Sequence, residues 1–159
     1  MNYRKIKSCD NKQIAEIIRD NLEKAHLNIP GTAYFDSELD RLSDFYNAKP
    51  DKRAYFVVLG DDGKVVGGVG VAEFEGIENC AELQKLYLSD TVKGRGYGKE
   101  LMHIAEENAK ALGYKELYLE THSCLKAAVG LYEKQGFEKI DKPGGSVHNT
   151  MNLFYLKQL

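Results

Sequence analysis

The chain has 159 residues, 43% of them apolar and 29% charged, a balance that suits one globular domain over 1–159 and not a disordered chain. Its 22 basic and 24 acidic side chains leave a formal charge of −2, without the basic surplus of a dedicated nucleic-acid binder, and its apolar runs are too short for a membrane span or a secretion signal. Cys9, Cys80 and Cys124 are widely spaced and form no C-x-x-C pair, which excludes a disulfide framework and a zinc pattern and fits reduced thiols in the cytoplasm.

In chain order, Tyr3–Lys7 suits a short opening strand. Asp10 and Gln13 resemble a capping box, and Ile14, Ile17, Ile18 and Leu22 recur behind them at helical spacing. Pro30-Gly31 breaks that helix. A second amphipathic segment follows, with Asp36 as its N-cap and Leu39, Leu42, Phe45 and Tyr46 on one face.

The period then changes. Tyr55–Leu59 and Val65–Phe74 read as strands joined by the turn Gly60-Asp61-Asp62-Gly63, a hairpin. Gly67, Gly68 and Gly70 in the second strand point to a bulge or a close backbone approach. Glu82–Leu88 is a third strand, and strict alternation puts Glu82, Gln84, Leu86 and Leu88 on one face. A helix is expected over Tyr97–Leu112, a strand over Leu117–Glu120, a helix over Leu125–Gln135 ended by Gly136, and strands over Phe137–Ile140 and Met151–Leu156. The expected fold is mixed α/β (α+β): a central, mostly antiparallel mixed sheet of six or seven strands flanked by about four helices.

The informative stretch is Lys93-Gly94-Arg95-Gly96-Tyr97-Gly98-Lys99, which leads from a strand into a helix. Glycines let main chain approach a ligand without Cβ atoms. The first N–H groups of a helix lack internal partners, and with the helix dipole they suit a phosphate or pyrophosphate. A Walker loop is excluded, because Lys93 stands where its first Gly belongs and Glu100 where its Ser or Thr belongs. A dinucleotide fingerprint is excluded by Lys99 in place of its third Gly.

This stretch resembles the acetyl-CoA motif of the GNAT superfamily of N-acetyltransferases, Gln/Arg-x-x-Gly-x-Gly/Ala. Downstream, Ala128 and Leu131-Tyr132-Glu133-Lys134-Gln135-Gly136-Phe137 resemble the family's A-x-x-L-Y-x-K-x-G-F block at the expected distance. The resemblance covers residues 82–140. Two positions depart from it: Lys93 replaces Gln or Arg, keeping the charge but losing the planar fork, and Leu125 stands where the family often has Asn.

The resemblance implies transfer of an acetyl group from acetyl-CoA, without a metal, to a primary amine by direct attack in a ternary complex. It assigns the pyrophosphate to the main chain of Gly94, Arg95, Gly96, Tyr97, Gly98 and Lys99, and the pantetheine arm to the strand edge at Leu86, Tyr87 and Leu88. Lys93, Arg95 or Lys126 is implied for the 3′-phosphate, Ser123 for the contact the missing Asn would make, Glu82 as base, Tyr132 as proton donor to the thiolate, and the Leu88 N–H for the oxyanion. His122 and His148 fall near the expected acceptor side. No nucleic-acid or membrane partner is expected, and a homodimer is compatible with the resemblance. The alternatives are a non-catalytic acyl-CoA-binding module and a nucleotide-phosphate-binding protein using the same helix N-terminus.

Overall fold

The computed structural model describes residues 1–159. Its elements are β1 (Asn2–Lys5), α1 (Asn11–Lys24), α2 (Leu42–Asn47), β2 (Ala54–Leu59), β3 (Val65–Phe74), β4 (Cys80–Leu88), α3 (Tyr97–Ala111), β5 (Glu116–Thr121), α4 (Lys126–Lys134), β6 (Glu138–Ile140) and β7 (Leu153–Gln158). The seven strands form one sheet in the order β1-β2-β3-β4-β5-β7-β6. Only β4 and β5 run parallel; the other neighbours are antiparallel.

Alternation in the strands feeds two cores, one on each face. On one face Ile14, Ile18 and Leu22 of α1 and Leu42 and Tyr46 of α2 pack with Tyr55 and Val57. On the other, Leu101, Met102 and Ala105 of α3 and Tyr132 of α4 pack on Val58, Val69, Val71, Leu117 and Leu119. Ile14 and Ile18 are fully buried, and each such side chain contributes about 2 kcal/mol by leaving water.

Several expectations change where tertiary partners capture a local signal. The opening strand ends at Lys5, because Lys7 turns into a single 3-10 turn and its N–H donates to Asp10. Asp10 does stand at the start of α1 but makes no cap bond. Its carboxylate pairs instead with Arg4 at 2.6 and 2.9 Å, and Gln13 accepts the Val65 N–H. Asp36 is extended and caps no helix; α2 begins only at Leu42, after a single turn at Leu39–Arg41. The last strand starts at Leu153, not Met151, because Asn152 is engaged with Thr121 and Ser123.

The largest correction lies in β4. Gly68 faces Tyr87 and Gly70 faces Gln84, so two steps on β3 meet three on β4. The extra residue is absorbed beside Lys85, which takes a left-handed φ of +50°. Such a bulge resets the side-chain phase. Leu86 and Leu88 therefore join Leu83 against the α3–α4 core, while Tyr87 turns to the α1–α2 core. Glu82 and Gln84 share a face, but Leu86 and Leu88 do not lie on it. The β3 glycines are explained by close approach: a Cβ on Gly68 or Gly70 would collide with the ring of Tyr55 or the hydroxyl of Tyr46. The Tyr55 hydroxyl in turn donates to the bulge carbonyl of Lys85 at 2.9 Å.

Candidate active site

The parallel ladder between β4 and β5 has only three rungs, Cys80–Glu116, Ala81–Leu117 and Glu82–Tyr118. Beyond Glu82 the two strands part. The opening is a cavity of ≈ 760 Å³ between Leu83–Leu88 of β4 and Leu119–Thr121 of β5, closed at its sides by Asn21 and Leu22 of α1 and by the start of α4. On the β5 side this part of β4 has no ladder partner, so its main chain is available to an extended ligand.

One end of the cavity is the glycine turn. Gly94 and Gly96 adopt φ of +76° and +83°, a conformation that costs other residues ~1–2 kcal/mol. A Cβ on either would meet no protein atom within 4 Å; the glycines here serve backbone shape and ligand approach rather than internal packing. Gly98 differs, because it lets Leu131 of α4 come close to α3. None of the main-chain N–H groups from Lys93 to Lys99 donates to a protein carbonyl, the first helical bond being Glu100 N–H to Gly96 O. These free donors and the positive end of the 15-residue α3 make a cradle for a phosphate-bearing group. Lys93 and Lys99 line this end, and Lys126 at the start of α4 lines the same cavity; Lys93 also lies 2.6 Å from Asp90.

Tyr132 lies on the cavity wall and is 7% exposed. Burial alone pushes its phenol up to about 12, and no protein group shares its hydroxyl. At neutral pH it is a protonated donor facing open space.

Glu82 sits behind the wall, 9% exposed. Burial pushes its carboxyl up to about 7, opposed by a hydrogen bond from Gln84 at 2.6 Å and reinforced by the charge of Glu120. The Gln84 carbonyl accepts from the Tyr46 hydroxyl at 2.8 Å, which fixes the amide so that its NH2 points at Glu82.

At the end away from the glycine turn, Lys85 of β4 and Glu120 of β5 face each other across the parted strands. A chain of ion pairs spans them. The Lys85 ammonium is 2.6 Å from Asp36 and 3.2 Å from Glu38; Asp36 is 2.9 Å from His148 Nε2; His148 Nδ1 is 2.7 Å from Glu120. Burial would lower the His148 imidazolium, but its bonds to Asp36 and Glu120 outweigh that and raise it to about 10. Asp36 is held at about 2 against its burial by His148 and Lys85. Glu120, lowered likewise, also accepts from Ser146 at 2.6 Å and Tyr118 at 3.1 Å.

Of the residues singled out in the sequence, Leu86, Tyr87, Leu88, Lys93, Gly94, Gly96, Gly98, Lys99, Lys126 and Tyr132 converge on the cavity. Glu82, Arg95, Tyr97 and Ser123 do not line it; Ser123 is engaged with Asn152. Leu125, at the first turn of α4, is on the wall. Lys85, Glu120 and Asp36 were missed, and His148 is a clamped cation and not a plain loop residue. Lys85 and Glu120 did carry a signal: each is a charge set between apolar neighbours in a strand (Leu86 beside Lys85, Leu119 beside Glu120), which demands a partner. No helix is long and apolar enough to cross a membrane.

Comparison with known proteins agrees with this geometry. The model of the "Acetyltransferase (GNAT) family" matches residues 13–137. The uncharacterized N-acetyltransferase YjgM of Escherichia coli is 42% identical over 134 residues, 83% of this chain and 78% of that protein. A GNAT-family acetyltransferase from Staphylococcus aureus superposes with a TM-score of 0.88 at 18% identity, covering 99% of this chain and 98% of the other. A phosphinothricin acetyltransferase from Sinorhizobium meliloti, solved in complex with AcCoA, superposes at 0.77 with 24% identity over 99% of this chain and 88% of the other. These two structural likenesses speak for the fold.

Proposed function

Because the chain belongs to the acetyltransferase (GNAT) family and is an N-acetyltransferase drawing on acetyl-CoA, we propose that it moves the acetyl group to a primary amine by direct attack, with both substrates bound together. The observation that carries this reading is the run of free N–H donors from Lys93 to Lys99 at one end of a cavity whose wall carries the unpartnered Tyr132 hydroxyl. The relative solved with AcCoA shares the fold.

Acetyl-CoA supplies an activated thioester carbonyl, and the chain's own residues supply the rest. The Lys93–Lys99 main chain, backed by Lys93, Lys99 and Lys126, anchors the phosphates. The free edge of Leu86–Leu88 aligns the pantetheine arm, and apolar Leu125 takes the place of a polar side-chain contact to it. An alkylamine with a pKa near ~10.4 arrives as an ammonium and must lose a proton before it can attack. Glu82, poised near neutrality, accepts that proton through an intervening water, since it sits behind the wall. As the nitrogen–carbon bond forms and the carbon–sulfur bond breaks, Tyr132 gives its proton to the departing sulfur. The extra proton left on the new amide nitrogen passes through water to restore the Tyr132 phenol, while Glu82 returns its own to solvent. No covalent enzyme intermediate is required, and Cys124 has no role as a nucleophile.

The test is thermal stability with acetyl-CoA, CoA, ATP and NAD at matched concentrations. A ligand at ~100-fold over its Kd adds about 2.7 kcal/mol. Acetyl-CoA and CoA should each raise the melting temperature, and ATP and NAD should not. Absence of a shift with both CoA species overturns the assignment of the glycine turn.

A further inference from the structure

The acetyl-transfer reading leaves the acceptor open, and the far end of the cavity narrows it. We propose that the acceptor is a primary amine whose amine-bearing carbon carries no carboxylate, which excludes free α-amino acids. This inference rests on the acetyl-transfer reading and concerns the end of the same cavity opposite the glycine turn.

Charge and hydrogen-bond valence both count against a carboxylate at that end. Two cations stand at that end, and both are spent. Lys85, with a side chain 5% exposed, lies between Asp36 and Glu38. His148 uses both ring nitrogens, one on Asp36 and one on Glu120. Three carboxylates against two cations leave an excess of one negative charge, before Glu82 is counted. Of the remaining cavity cations, Lys93 and Lys99 belong to the glycine turn and Lys126 to the start of α4.

A carboxylate entering beside Lys85 and Glu120 would thus find both nearby cations, Lys85 and His148, already committed to carboxylates. It would meet Glu120 on the wall and Lys85 already held from behind by Asp36 and Glu38, and would lose its hydration without compensation, a cost that rejects the wrong ligand rather than rewarding the right one. A lone ammonium meets the opposite field. The cavity walls include apolar Leu83, Leu119 and Met151, and the Tyr132 hydroxyl opens into the same cavity without a protein partner.

Matched pairs that differ only in the carboxylate isolate this effect: 2-phenylethylamine against L-phenylalanine, 3-methylbutylamine against L-leucine, and cadaverine against L-lysine. Thiol release from acetyl-CoA gives kcat/KM for each. The expected result is at least a tenfold advantage for the carboxylate-free member of every pair that reacts. In Asp36→Asn, where Lys85 and His148 are partly released, that advantage should shrink. Equal or better use of the amino acids by the unmodified protein overturns the proposal. So does failure of every carboxylate-free amine while acetyl-CoA still stabilises the protein. Loss of acetyl-CoA stabilisation itself would instead remove the underlying reading, so the two failures are distinct.

Discussion

Burial pushes both Tyr132 and Glu82 upward, yet the same cause leaves them in different states at neutral pH. The phenol, at about 12, keeps its proton throughout the working range; the carboxyl, at about 7, is divided between its two forms. Tyr132→Phe keeps the ring and removes only the proton. We expect turnover to fall about 100-fold, with acetyl-CoA affinity by titration calorimetry unchanged; unchanged turnover would take the tyrosine out of the reaction. For Glu82 the active form is the carboxylate, whose fraction increases with pH. kcat/KM should therefore climb as pH rises towards about 7 and level off above it. In Glu82→Gln the limb should vanish and the plateau drop by ~100-fold. A pH–rate profile that keeps its limb in the variant would assign the proton to another group.

Among the elements, β3 and β4 show where local pattern suffices and where it does not. The continuous apolar run Tyr55–Leu59 and the helical spacing of Ile14, Ile18 and Leu22 predict strand and helix, because each signal lies in consecutive residues along the chain. The glycines of β3 announce a close approach as well, but not by what: Tyr46 and Tyr55 come from α2 and β2. Gly70→Ala should cost about 1–3 kcal/mol, the range of overpacking, because Tyr46 is fully buried and cannot swing aside; urea unfolding measures it. The bulge at Lys85 has no local signature, since a lysine disfavours φ of +50° and is held there by Asp36, Glu38 and the Tyr55 hydroxyl. For the same reason Asp36 reads as a helix cap from its neighbours and proves to be a tertiary ion-pair partner.

At the scale of the whole molecule, the cofactor end of the site was legible and the other end was not. Glycine spacing is written in consecutive residues, Lys93 to Lys99. The ion-pair chain draws its members from positions 36, 38, 85, 120 and 148, on two loops and two strands, and only the fold brings them together. That chain also fastens the late loop to the loop after α1, beside the Thr150 bonds to Pro30 and Gly31. His148→Ala should destabilise the protein by about 3 kcal/mol near pH 6, because it leaves Asp36 and Glu120 without their shared partner. The folded imidazolium titrates near 10 and the unfolded one near 6.5. Its contribution is therefore full below pH 6.5 and is lost as pH rises towards 10. Denaturant unfolding at pH 6, 8 and 10 should show the gap between the two proteins closing; a gap that is constant with pH would mean that His148 acts by packing alone.

The three rungs between β4 and β5 have a mechanical side too. They are the whole main-chain ladder joining the leaf β1–β4 to the leaf β5–β7–β6. A book with so short a spine relies on something laid between its pages to keep them at a set angle. A substrate arm lying along the free edge of β4 would act as such a splint, so every turnover would remove a structural part of the protein along with the product.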